Sequence, residues 1–246
     1  SPALGFLAAA LAGAGLSLLF GLITQFLKSN QVATGLALTL FGLGLSSLIG
    51  KSFEGMKAPS LARAEIPMLA DLPVLGPILF RHDPVVYLSL VMVVAVWAWL
   101  RFSRGGLVLR AVGENHDAAH ALGYKVVPVR FGAILFGGAM AGLGGAYVSL
   151  VRVPQWVDGM TAGAGWIALA IVVFASWRPW RVLLGAYLFG GVTVLQLNLQ
   201  AAGVAIPVEY LSMSPYLVTI LVLVVISMRG HHGAPGSLGR SFFASS

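Results

Sequence analysis

The chain of 246 residues contains no cysteine. That excludes disulfides, thiolate metal sites and cysteine nucleophiles, and leaves the compartment undetermined. Charge is nearly as scarce. Asp, Glu, Lys and Arg make up 9% of the residues, against roughly 25% in a soluble domain. A surface so poor in charge cannot face water all round, which excludes an ordinary soluble enzyme and a disordered tail. Nucleic-acid binding is excluded as well, despite a net charge of +7 and a pI near 10.1. A basic groove needs Lys and Arg clustered on a polar face, and too few are present. What the chain has instead is apolar: 58% hydrophobic residues, 31 glycines and a mean hydropathy of +0.91.

Over a window of about 19 residues, seven apolar stretches separate: Ala3–Leu27, Val32–Gly50, Pro84–Leu100, Phe131–Val151, Thr161–Trp177, Val182–Ala202 and Tyr216–Met228. Most approach the roughly 20 residues a helix needs to cross a bilayer. The last is short and is extended if it starts near Val208. Barrel strands would alternate apolar and polar residues, and these runs do not. The expected fold is therefore an all-α polytopic membrane helix bundle of about seven segments. A membrane domain would cover 1–229, with a mobile Gly/Ser-rich tail over 230–246.

Every Asp, Glu, Lys and Arg falls outside the seven stretches, and the charges are sorted. One set of loops carries Lys28, Arg101, Arg104, Arg110, Lys125, Arg130, Arg178, Arg181, Arg229 and Arg240, against Glu114 and Asp117. The other set carries Lys51, Lys57, Arg63, Arg81 and Arg152, against Glu54, Glu65, Asp71, Asp83, Asp158 and Glu209. The totals are +8 and −1. The positive-inside rule then places the first residue outside and the last inside. Ser1 is preceded by no Met, charged n-region or cleavage site. An outside start of this kind is expected of a processed chain or, the reading adopted here, a fragment of a longer one.

The fourth stretch carries small residues four apart: Gly137 with Ala141, Gly138 with Gly142, and Ala141 with Gly145. This spacing lets helix backbones approach closely in lipid. It reads as bundle packing, compatible with a helix that lines a narrow pathway. In the sixth stretch Gln196 and Gln200 share a helical face, with Asn198 elsewhere. Buried amides need partners, so these three either make interhelical hydrogen bonds, sit at the outer interface, or line a solute pathway. Trp156, Trp166, Trp177 and Trp180 lie near segment ends, as aromatic belts do. The outer loop 51–83 holds Pro59, Pro67, Pro73 and Pro77 and is expected to be an ordered cap or a short re-entrant piece.

Three motifs come close and fail. Gly44 to Ser52 resembles a phosphate loop, but five residues separate Gly44 and Gly50 where the motif needs four. His116 and His120 share a helical face, yet Asp117 stands where zinc hydrolases have Glu. No third ligand is evident, although His231 and His232 lie on the same side. There is no Gly-x-Ser-x-Gly elbow, and no carboxylate in the apolar interior to mark a protease or proton relay. No catalytic residue, cofactor or metal site is expected.

The stretch 105–130 is the most polar part of the inner side. Asn115 suits an N-cap, and Asp117 falls in the first turn, where the helix dipole favours an anion. Gly123 is placed to end the helix, and Pro128 to stop its continuation. A helix of about two turns is expected, presenting Ala118, Ala119 and Leu122 as a small apolar patch. Such a patch can seat in a partner's groove or lie along the membrane surface.

The run RAVGENHDAAHALGYKVVPVRFGA resembles the cytoplasmic coupling segment of ABC importer permease subunits, in the branch that handles branched-chain amino acids, ribose-type sugars and nucleosides. Arg110, Ala111, Gly113, Glu114, Asn115, Ala118, Ala119, Ala121, Leu122, Gly123 and Arg130 match the family pattern. NQVATGLALTLFGLGL, GLGGAYVSL and MTAGAGWIALAIVVFASWRPW are similar to other family segments. Asn30-Gln31, LPVLGPILF and LQLNLQ lean toward the nucleoside (basic membrane protein-associated) branch. His116 departs from relatives that have Pro, and the extra N-terminal helices of relatives are absent from this sequence. The resemblance implies a multi-pass permease in the plasma (inner) membrane of a prokaryote. It further implies a cytoplasmic ATP-binding subunit, a second permease subunit (the same or different) and an external solute-binding protein. Glu114, Asn115, Ala118, Ala119, Leu122 and Gly123 would then meet the ATPase. An ion-coupled secondary transporter and, more remotely, an intramembrane enzyme are the rival readings.

Overall fold

A computed structural model describes residues 1–58, 64–65, 81–161, 163–203, 207–228 and 233–243. Much of the outer loop 51–83, including Pro59, Pro67, Pro73 and Pro77, and also His231 and His232, lie outside the described residues.

Helix α1 (Pro2–Gly21) begins with proline at a position whose N–H needs no intrahelical partner, and runs on through a π-helical turn, Leu22–Phe26. Helix α2 (Gln31–Gly50) is capped by Asn30, whose side chain accepts from the N–H groups of Val32 and Ala33. Helix α3 spans Pro84–Phe102. Two shorter helices follow, α4 (Arg104–Glu114) and α5 (His116–Ala121). Helix α6 (Val126–Tyr147) ends in a π-helical turn, Val148–Arg152. Then come α7 (Ala164–Phe174), α8 (Pro179–Ala201) and α9 (Val208–Met228). Among the described residues the fold is all-helical, save a short antiparallel pairing of Ala64–Glu65 with Arg81–His82 and two isolated bridges, Glu54 with Trp156 and Lys57 with Gln155.

Five helical stretches among the described residues are long and apolar enough to cross a bilayer: Pro2–Phe26, Gln31–Phe53, Pro84–Phe102, Val126–Arg152 and Pro179–Ala201. The stretch expected over Thr161–Trp177 is helical only for the 11 residues of α7, about 16 Å at 1.5 Å per residue, too short to cross. Its limits are backbone turns. Gly163 sits at φ 80°, and Ser176 and Trp177 hold φ of 51° and 55°, which no helix continues through. Helix α6 starts five residues earlier than the apolar stretch, because Pro128 falls in its first turn, where no hydrogen bond is lost. Helix α4 was not anticipated. Its signals are the Ser103 cap, 2.9 Å from the Gly106 N–H, and Val108 and Val112 four apart.

The described chain divides into two compact units, one of Ser1–Met92, Leu100–Ala162 and Gly236–Ser246, the other of Val93–Trp99 and Gly163–Pro235. In the first, α1 and α6 pack backbone to backbone. A Cβ on Gly13 would overlap the Gly138 carbonyl, and one on Gly142 would overlap that of Ala9. Phe26 and Phe131 meet edge to face at 6.1 Å. In the second, Gly185 of α8 admits Phe174 and Ile171 of α7, while Phe189 and Tyr216 join α8 to α9 at 6.4 Å. Leu4, Leu40, Leu48, Leu184 and Ile220 are exposed. Such outward apolar faces belong in lipid, where the helical backbone satisfies its own polar groups.

One buried cluster lies at the start of the span Val126–Arg152. Val112 of α4, Ala119 of α5, Val126 of α6 and Phe242 of the C-terminal stretch form a small core. The tail expected to be mobile from Gly230 is therefore packed on α4–α6 over residues 236–243, because Phe242 buries its ring there.

Candidate functional site

The 105–130 segment is built locally. Asn115 leaves the helical conformation (φ −147°, ψ 100°), ending α4 and starting α5. Its side-chain oxygen accepts from Asp117 N at 3.1 Å and Ala118 N at 3.0 Å. The short helix closes at Gly123, whose φ of +88° suits glycine. There the N–H groups of Gly123 and Tyr124 donate back to His120 and Ala119 at 2.8 and 3.1 Å.

The patch expected on one face is split. Ala119 is 2% exposed and faces the internal core, so it secures α5 to its own chain. Leu122 is 77% exposed, and Glu114, Asn115, Ala118 and Gly123 are also exposed. The outward surface of the elbow thus carries Ala118 and Leu122 but not Ala119. The reason is helix geometry: residues 118 and 119 lie about 100° apart around the axis.

The C-terminal stretch crosses this elbow. Ser237 N–H donates to the Gly113 carbonyl at 2.9 Å, and Ser237 Oγ accepts from His116 N–H at 3.0 Å. Arg130 of α6 reaches the carbonyls of Arg240 and Ser237 at 2.8 and 3.3 Å. Lys28, in the turn after α1, donates to the Phe242 carbonyl and lies 5.5 Å from the Phe243 ring centre. The Phe242 ring meets His116 and His120 edge-on, at 5.4 and 5.2 Å. The two histidines considered as a metal pair thus flank a phenylalanine. Sequence reading passed over this cluster. Its available signals were the Phe242–Phe243 pair, out of place in a solvated tail, and the basic Arg130.

His116 is buried, and its Nδ1 lies 2.9 Å from an Arg130 nitrogen. A guanidinium only donates, so Nδ1 carries the lone pair and Nε2 the proton, 3.5 Å from Asp117 Oδ1. Burial first, then the Arg130 charge, push the His116 pKa below its ordinary 6.5; Asp117 opposes this and Arg240 adds to it. The docked form therefore binds fewer protons than the released one, and docking is favoured by rising pH. Its contribution is complete above 6.5 and is lost as pH falls below that value. We expect the protection factors of the amides over residues 236–243, each rate compared with that of an unstructured chain at the same pH, to fall between about pH 7.5 and about pH 5. His116→Gln should flatten the dependence. Equal protection factors at both pH values in the wild-type chain would refute it.

At the other end of the first unit, the loop after α6 packs on the end of α2. Ala58 N–H donates to the Pro154 carbonyl at 2.9 Å, and Ser47 Oγ donates to Asp158 at 3.2 Å. The Trp156 indole lies over Gly50, which has no room for a Cβ. Between α1, α2, α6 and this loop runs a cleft of about 650 Å³. Ser17, Thr39, Ser149, Trp156 and Asp158 are among its walls. The Ser17 and Thr39 hydroxyls donate to the carbonyls of Ala14 and Gly35 in their own helices, leaving lone pairs free to accept. Ala141, Gly142 and Gly145 form part of the wall, as does Gly138; a Cβ on Gly137 or Gly145 would meet nothing. Gln196, Asn198 and Gln200 lie on α8 in the second unit, Asn198 exposed and the two glutamines half-buried.

Apolar helices of membrane-spanning length, joined by an amphipathic elbow, define a multi-pass membrane protein. The chain matches, over residues 1–226, the family described as branched-chain amino acid transport system / permease component. It is 39% identical over 242 residues to a putative glucose ABC transporter permease protein of Haloferax volcanii, covering 89% of this chain and 74% of the relative. It is 33% identical over 230 residues to a nucleoside ABC transporter permease protein of Lactococcus lactis, covering 91% and 73%. A guanosine ABC transporter permease protein of Bacillus subtilis is 33% identical over 234 residues, at 91% and 72%. No solved structure matches the chain. The chain belongs to this permease family, and is the transmembrane permease subunit of an ABC importer in the plasma membrane. Members are transport components, not catalysts, and the family implies an ATP-binding subunit and a solute-binding protein.

Proposed function

We propose that this permease carries a nucleoside, and that its α4–α5 elbow seats in the cleft of the ATP-binding subunit. The observation that carries the solute reading is the pair of relatives named for nucleoside and guanosine transport, each aligned over 91% of this chain. The cleft chemistry agrees with it. Trp156 offers a face for stacking a base, and hydroxyls with free lone pairs suit ribose hydroxyls. Glucose is the second reading, favoured by the relative at 39% identity.

The docking reading rests on exposure. Leu122 stands out from a capped, well-packed elbow, and an exposed leucine on a rigid support is suited to a partner's apolar seat. In this reading the chain starts outside and ends inside, which requires the fifth stretch to cross as α7 together with the non-helical residues on either side of it. Residues 105–130 and the tail 230–246 then face the ATPase, and loop 51–83 faces the binding protein. A second permease subunit, the same or different, completes the pathway. In the first unit the solute would pass the glycine-lined wall at Gly138, Ala141, Gly142 and Gly145; in the second, Gln196, Asn198 and Gln200 are taken separately as amides able to contact solute. Ion-gradient coupling is not part of this reading.

The test of the solute is a thermal-shift screen of the partner binding protein against guanosine, other nucleosides, glucose, ribose and branched-chain amino acids. We expect nucleosides to stabilise it with a Kd of about 1 μM, some 8 kcal/mol of binding. Stabilisation by glucose alone would overturn the nucleoside assignment.

A further inference from the structure

We propose that residues 236–243 are a splint that holds the α4–α5 elbow rigid and carries its movement to α1. The proposal rests on the docking of that elbow in the ATPase and goes beyond it, since docking alone says nothing of the C-terminal stretch. The argument begins at Asn115. Its extended backbone breaks the helical ladder between α4 and α5, so within the segment the angle between the two helices rests on little more than the packing of Val112 and Ala119. A push on Leu122 would bend that joint more easily if nothing else bridged it.

The C-terminal stretch bridges it from both sides. Ser237 bonds α4 through Gly113 and α5 through the His116 N–H. A Cβ on Gly236 would strike the Glu114 carbonyl, so the strand lies flush on the end of α4. Phe242, 4% exposed, wedges between the two α5 histidines and beside Val112. The splint is then tied onward. Its Phe242 carbonyl accepts from Lys28, just past the end of α1, and its Ser237 and Arg240 carbonyls accept from Arg130 on α6. Hydrogen bonds to a charged donor are worth about twice a neutral one, so these ties resist pulling. Ser237 and Phe242 are thus positioning residues. They act through the coupling helix and touch no solute or nucleotide.

The absence of cysteine from the permease helps the test, because every thiol on this chain is then an introduced one. The permease is assembled with its ATP-binding subunit in lipid nanodiscs. An environment-sensitive fluorophore is placed at Tyr124→Cys, beside α5, or at Leu27→Cys, at the end of α1. Trapping with ATP and vanadate should shift both labels in the otherwise native chain. With Phe242→Ala the shift at position 124 should persist, while that at 27 falls about fivefold, the lower range of ordinary site-to-site coupling. A disulfide between Gly113→Cys and Ser237→Cys, formed before labelling, should restore the shift at 27 in the Phe242→Ala background. A role in folding alone would not be rescued in this way.

An unreduced shift at 27 with Phe242→Ala would overturn the proposal. So would a disulfide that freezes both labels, since the strand would then have to detach in each cycle. If the label at 124 fails to respond in the native chain, the docking reading itself is wrong and the splint falls with it.

Discussion

Leu122→Asp should abolish transport while leaving the permease folded and inserted. The side chain is 77% exposed, so its replacement removes little internal packing. In the proposed seat, however, an aspartate would be an unpaired charge in an apolar groove. Burying one without a partner costs several kcal/mol. At about 3 kcal/mol the affinity for the ATP-binding subunit falls roughly 100-fold. The expected result is loss of that subunit on co-purification and loss of solute uptake, with the exchange protection of residues 236–243 intact. Ala119→Asp should behave differently. Ala119 is buried beneath α5, so a charge there breaks the internal core and releases the C-terminal strand too. Normal uptake by Leu122→Asp would end the docking proposal.

The second large effect is expected at Gly142. A single methyl there would lie against the Ala9 carbonyl group and 3.3 Å from Ala10 Cα, all of it backbone that cannot swing aside. Helix α1 would have to withdraw from α6 along its length. Overpacking of this kind typically costs 1–3 kcal/mol and more where relaxation is blocked, so Gly142→Ala should lose about 3 kcal/mol. Gly138→Ala should lose a similar amount, since its methyl would meet the Gly13 carbonyl and the Ser17 Cβ, neither of which can swing aside. Gly137→Ala and Gly145→Ala face open space and should change stability little. Thermal unfolding of the four variants in detergent gives the comparison. Equal change at all four would show that the α1–α6 contact does not govern these positions, since helix propensity alone favours Ala over Gly at each of them.

These two sites mark where sequence reasoning reached and where it stopped. The small-residue stripe was legible because a spacing of four places residues on one helical face. The stripe alone does not distinguish Gly138 and Gly142, which meet α1, from Gly137 and Gly145, whose outward space is empty. Periodicity identifies a face; it does not say how far round that face the neighbour extends. The elbow was legible in the same partial way. Asn115 and Gly123 sit at its ends as their side-chain chemistry requires. Ala119 was assigned to the partner's side, and only the presence of Phe242 beneath it shows otherwise. Helix α7 was overextended because apolar content alone does not register the left-handed turns at Gly163, Ser176 and Trp177.

The sequence by itself determined that this chain lives in lipid and where Asn115 starts a helix. These depend on hydropathy or on hydrogen bonds reaching two or three residues. Only the tertiary structure decided which glycines carry the α1–α6 contact and that the C-terminal strand braces the elbow. The Ser237 bond to His116 spans 121 residues of chain, and the Phe242 bond to Lys28 spans 214. Contacts so distant leave no local pattern, because they are made by surfaces that exist only once the helices have packed.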